Sequence, residues 1–195
     1  MIESMRRRAA LTDLENRCQH IAELVGLSDR EFLSCLGSLG RTREEIMLAH
    51  LAPLVQVAWA DGRVNGRERT LIMNACRGLG VTEGGAAFLH LTNWLDQRPS
   101  LQVFNDSLSL LRSVIQTLPI EKRGTSRMDV LALCVLVAEA SGGVAGDFGE
   151  SSISHEEQKI IKLLAEGFRR VTTAPFRAPQ AVGASCKSAP QMRVA

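Results

Sequence analysis

The sequence predicts an all-α protein: a compact helical bundle of about eight helices, with two hairpins related by a pseudo-two-fold axis. Three observations carry that prediction. First, a polar residue precedes a glutamate by three positions at Ser28/Glu31, Thr42/Glu45, Asn65/Glu68 and Ser154/Glu157, each time ahead of an apolar-periodic segment. In such a capping box the first side chain accepts from the N3 amide, and the glutamate reaches back to the N-cap amide. Second, Leu11, Leu14, Cys18, Ile21 and Val25 recur at gaps of three and four, which places them on one helical stripe. Third, strand-length runs of β-branched and aromatic residues are scarce, and tyrosine is absent.

The elements follow in order. A first helix covers about Glu3 to Val25 and closes at Gly26, a C′ residue. A short second helix covers Ser28 to Leu39. The third runs from Thr42 to Ala60 and contains Pro53, whose missing amide and ring clash predict a kink or break near Ala49 to Ala52. The fourth spans Asn65 to Leu79 and ends at Gly80. The fifth covers Glu83 to Asp96, its start weakened by Gly84-Gly85, and the sixth runs from Ser100 to Thr117, before Pro119. The seventh, Thr125 to Ala140, carries the most apolar stretch and is predicted to be the most buried. The eighth runs from Ser154 to Arg170. Residues 172–195 are rich in Ala, Pro, Ser and Gly without a helical stripe, so they read as a disordered tail behind one domain, residues 1–171. Within it, residues 1–41 form N-terminal helices and residues 42–171 a duplicated core.

Composition narrows the function classes. With 45% hydrophobic and 23% charged residues the balance is globular rather than disordered. A net charge of +2 gives no broad nucleic-acid footprint, and Arg6-Arg7-Arg8 beside Glu3 reads as a solvated face. The start lacks the apolar core of a secretory signal, and the run Val130 to Ala138 is about half of the ~20 residues a membrane span needs. A cytoplasmic protein without membrane insertion is expected. The five cysteines are scattered singly; Cys18, Cys35, Cys76 and Cys134 fall where helices want small apolar residues and read as buried free thiols.

The most informative feature is a duplication. Leu51, Val55, Val57, Ala58 and Ala60 match Leu131, Val135, Val137, Ala138 and Ala140 at a constant offset of 80. Past the turn Asp61-Gly62, matched by Ser141-Gly142, the offset becomes 89: Val64, Asn65 and Glu68 match Ile153, Ser154 and Glu157. Leu71, Ile72, Ala75, Cys76 and Leu79 then match Ile160, Ile161, Leu164, Ala165 and Phe168. Each copy is a helix, a glycine-containing turn, a capping box and a second helix. One such hairpin cannot bury both apolar stripes, whereas two can bury them against each other.

The stretch VAWADGRVNGRERTLI resembles the tellurite-resistance TerB family, whose helical fold is also similar to the N-terminal domain of the DnaJ-like co-chaperone DjlA. The resemblance covers about Thr42 to Arg170. Its motif, an apolar helix ending in ADG followed by a polar-capped helix with a glutamate, corresponds to Ala60-Asp61-Gly62 with Glu68, and more weakly to Ala140-Ser141-Gly142 with Glu157. Ser141 stands where the motif has an aspartate, and Asp147, Glu150 and Glu156 in or beside the longer second loop are the acids nearby. The resemblance implies a non-catalytic module with protein partners, in a membrane-linked complex of a tellurite or chemical-stress response.

The sequence therefore leads to a non-enzymatic interaction module, with Asp61, Gly62, Glu139 and Glu156 as its contact surface. The alternative is a divalent-cation sensor in which Asp61, Glu68 and Glu157 offer the oxygen ligands that Ca²⁺, Mg²⁺ or Mn²⁺ favour. The same residues also have a purely local reading: Asp61 starts a turn, Gly62 supplies positive φ, and the glutamates complete capping boxes. The spacing from Asp61 to Glu68 is not that of an EF-hand. Catalysis has no support. His20, His50, His90 and His155 are isolated and read as surface or boundary residues, no GxSxG or GK[ST] occurs, and Trp59 and Trp94 sit at core spacing.

Overall fold

A computed structural model describes residues 8–9, 12–17, 19, 23, 37, 40–141 and 153–169 of the chain. Six bounded helices lie within them: α1 (Arg43–Ala58), α2 (Gly66–Gly78), α3 (Ala86–Asp96), α4 (Leu101–Thr117), α5 (Ile120–Ser141) and α6 (His155–Arg169). An N-terminal helical stretch over residues 12–17 is the seventh helical segment, and no strand occurs among the described residues. That makes seven where eight were expected; the expected helix Ser28 to Leu39 lies outside the described residues apart from Gly37, which is helical. The Ser28/Glu31 box and the tail from 172 also lie outside them.

The helix starts obey the capping chemistry. The Thr42 hydroxyl accepts from the Glu45 amide at 3.2 Å, while the Glu45 carboxylate accepts from the Thr42 amide at 2.9 Å. Ser100 caps α4 through the Val103 amide at 3.3 Å. At the far end of α2 the Gly80 amide donates to Arg77 and the Val81 amide to Cys76. This is a Schellman closure, and it needs the positive φ of 80° that Gly80 adopts. Two starts differ from expectation. α3 begins at Ala86, not Glu83, because Gly84 takes φ 76° and Gly85 becomes an N-cap without a side chain. α5 begins at Ile120, not Thr125: the Pro119 carbonyl accepts from Lys122 and Arg123, and Gly124 is carried inside the helix.

α1 is the axis of the bundle and packs against all five other helices. Twelve of its sixteen residues are buried, against seven of the twenty-two in α5. The most buried helix is therefore α1, not the expected 125–140 segment. A helix apolar on every side belongs in the middle of a core. α1 also runs through Pro53 as one helix, so of the kink or break expected near Ala49 to Ala52 the break does not occur. Neighbours on every side hold it where a solvated helix would part. Leu54, Leu91, Leu111, Ile115, Leu133 and Leu164 are among the core side chains gathered around it.

The duplicated segments pack as twins. α1 lies on α5, α2 lies on α5, and α6 lies on α1, so the cross-contacts exchange when the two hairpins are swapped. Val57, Ala58, Glu68, Ala75 and Leu79 are buried, and so are their counterparts Val137, Ala138, Glu157, Leu164 and Phe168, whereas Leu51, Val55, Ile72 and Cys76 are buried and their counterparts Leu131, Val135, Ile161 and Ala165 only half-buried. Outside the repeat, Arg17 of the N-terminal stretch donates to the buried Asp129 on α5 at 3.2 Å and to Asp13 at 2.9 Å. No helix among the described residues is long and apolar enough to cross a membrane.

Candidate functional site

The sharpest concentration of unusual chemistry lies where the two hairpins meet. α1 is followed by its C-cap Trp59, whose indole N–H donates to the Trp94 carbonyl at 2.8 Å and ties the turn to α3. The chain then bends through Ala60, Asp61 and Gly62. Gly62 takes φ 92°, a conformation open to glycine, and the Asp61 carboxylate accepts from the Arg63 amide at 3.3 Å. Asn65 opens α2 and accepts from the amides of Arg67 at 2.8 Å and Glu68 at 3.0 Å. In return Glu68 Oε2 accepts from the Asn65 amide at 2.7 Å. The second copy repeats this chemistry: Ser154 accepts from the Glu157 amide at 3.3 Å, and Glu157 Oε2 accepts from the Ser154 amide at 2.7 Å.

What sets these two boxes apart from Thr42/Glu45 is depth. Glu45 is exposed, whereas Glu68 is 1% and Glu157 2% exposed. The cause is in the stripe. Glu68 is one register with Ile72, Ala75 and Leu79, and Glu157 with Ile161, Leu164 and Phe168, so the helix faces that seek the core carry a carboxylate at their first turn. Each glutamate satisfies one oxygen on its own N-cap amide. Glu68 Oε1 is buried with no hydrogen-bond partner. Burial pushes the Glu68 carboxyl up to about 7; the Asn65 amide opposes this, and the charges of Asp61 and Glu157 add to it. The last effect shows that the two hairpins bring Glu68 and Glu157 within electrostatic reach of each other.

The proposed ligand set Asp61, Glu68 and Glu157 is thus brought to one neighbourhood but not into a cage. Among the described residues no group of three His, Cys, Asp or Glu could hold a metal ion as placed. The reason is local: each glutamate has one oxygen engaged by its own cap, and exposed Asp61 closes its own turn. Asp61, Gly62, Glu139 and Glu156 are all exposed, as a contact surface requires. Asp61 acts on Glu68, whereas neither Glu156, on the first turn of α6, nor Glu139, on the last turns of α5, is among the charges acting on it. Ser141 does not repeat the Asp61 turn bond; its hydroxyl donates to the Ala138 carbonyl at 2.6 Å. Asp147 and Glu150 lie outside the described residues.

Other candidates resolve more simply. His50 departs from the surface or boundary role expected of it: it is buried, and its Nδ1 donates to the Ile46 carbonyl at 2.8 Å. Burial holds its imidazole below the usual range. His90 is exposed and meets the Trp94 ring edge-on at 5.1 Å. Trp94 is buried, in keeping with its core spacing. Cys76 and Cys134 are free and buried, as expected; Cys18, Cys35 and Cys186 lie outside the described residues. A depression of about 680 Å³ at the opposite end of α1 is lined by Thr42, Met47, Leu48, Val81, Ala87 and His90 among others, and includes none of the junction acids.

No protein-family model, no curated protein and no solved structure matches this chain.

Proposed function

We propose that this chain is a non-enzymatic, TerB-like interaction module of a cytoplasmic tellurite or chemical-stress response assembly, meeting a protein partner at the acid-rimmed junction of its two hairpins. The single observation behind the reading is the junction itself: the glutamates of two matched capping boxes, Glu68 and Glu157, are both buried, while Asp61 and Glu156 near them in sequence are exposed. A rim of this kind favours a partner surface rich in lysine or arginine, through complementary charge. The test is affinity capture with the wild type and with Asp61→Ala plus Glu156→Ala. Both positions are exposed, so helical content should stay unchanged by circular dichroism. Loss of the specifically captured proteins supports the reading; an unchanged set overturns it.

A second reading, a divalent-cation sensor, draws on the orphaned Glu68 Oε1, which a cation could satisfy. Calorimetric and thermal-shift titrations with Ca²⁺, Mg²⁺ and Mn²⁺ test it. No response at millimolar concentration retires it.

A further inference from the structure

The two halves of the duplicated core are closed over a pair of carboxyl groups, and nothing in the capping function requires both to be so deep. Glu45 performs the same duty in the open. At the junction, each buried glutamate spends one oxygen on its own N-cap amide, and Glu68 Oε1 is left with neither donor nor solvent. A buried charged oxygen without a donor is costly, whereas a protonated carboxyl is neutral and becomes a donor itself. The charges acting on Glu68 are Asp61, from the α1–α2 turn, and Glu157, from the start of α6; both are negative. On α1, the buried titratable group is His50, whose imidazole burial holds below its usual range. On α5, Asp129 is engaged by Arg17 and Glu139 is exposed. Of the nearby basic residues, Arg63 and Arg67 are exposed, and Arg69, half-buried, is paired with Asp96.

We propose that the junction is a proton-operated latch: the buried Glu68 carboxyl, one oxygen of which has no donor, carries a proton in the closed bundle, and its ionisation loosens the contact between the two hairpins. The shift of Glu68 to about 7 puts the operating range near neutrality. The latch does not depend on a protein partner; a null capture experiment leaves it standing, and its own failure leaves the partner reading standing.

The experiment is thermal denaturation of the full chain from pH 5 to pH 8, comparing wild type with Glu68→Gln, in which the amide oxygen can still accept from Asn65 and the amide NH₂ replaces the acid proton. The difference between the two chains cancels the contribution of His50. The melting temperature of the wild type should fall by several degrees relative to Glu68→Gln as pH rises through neutrality. Parallel curves overturn the latch. Should Glu68→Gln fail to fold, side-chain carboxyl carbon-13 NMR of the wild type decides the matter. One glutamate titrating near neutrality supports the latch, and every carboxyl titrating in the ordinary range overturns it.

Discussion

Glu68 and Glu157 occupy the same N3 position of two capping boxes, 89 residues apart in sequence, and the bundle withdraws both from solvent in one neighbourhood.

Asn65 accepts from two backbone amides, those of Arg67 and Glu68, whereas Ser154 accepts from one. Asn65→Ala should therefore destabilise the chain by about 1–2 kcal/mol and Ser154→Ala by about 1 kcal/mol or less. Urea denaturation of the two variants measures the difference. Equal losses would show that the second acceptor bond contributes little.

Gly62 and Gly66 lie four residues apart with opposite demands. Gly62 has φ 92°, where a β-carbon is strained, so Gly62→Ala should cost about 1 kcal/mol or more. Gly66 opens α2 in helical conformation with open space around it, and Gly66→Ala should gain up to about 1 kcal/mol. Melting temperatures moving in opposite directions check both at once.

The indole N–H of Trp59 is held by the Trp94 carbonyl at 2.8 Å. Trp59→Phe leaves that carbonyl without its donor, and a loss of about 1–3 kcal/mol is expected. Trp94 then remains as the chain's single tryptophan, so its fluorescence reports whether the local fold survives.

Two buried groups set opposing pH slopes. His50 is held below its usual range, so the unfolded chain takes up its proton first and stability is lost as pH falls below about 6.5. Glu68 is held high, so its contribution is fully present below the unfolded value near 4.5 and is lost as pH rises through about 7. Replacing His50 with Gln should flatten the acid limb of a stability–pH curve and leave the limb near neutrality intact. An unaltered acid limb would assign it to other groups.

Much of the architecture is legible from residue spacing. Three of the four capping boxes fall among the described residues and all three close, and α5 packs on α6 as α1 packs on α2. The start of α5 is hidden because Pro119 offers a carbonyl but no capping side chain, and Gly124 imitates a boundary. The centrality of α1 is hidden for a different reason: periodicity reports which face of a helix is apolar, not how many neighbours surround it, and Pro53 argues locally for a break that tertiary packing overrides. At the junction, the identity of Asp61, Glu68 and Glu157 can be read, but the depth of the two glutamates cannot be taken from cap chemistry alone. It needs the register with Ile72, Ala75 and Leu79 together with the pairing of distant hairpins. The Arg17–Asp129 bond, spanning 112 positions, has no local signature at all.

Cys76 and Cys134 sit in the same closed interior, and burial raises both thiols, Cys76 to about 11. A thiol-reactive reagent needs the ionised sulfur and a path to it, and the folded chain grants neither. The time that a maleimide takes to capture these two sulfurs, in a chain whose other three cysteines are replaced by serine, therefore becomes a stopwatch for the breathing of the whole interior. That chemical clock runs without any knowledge of what the protein binds.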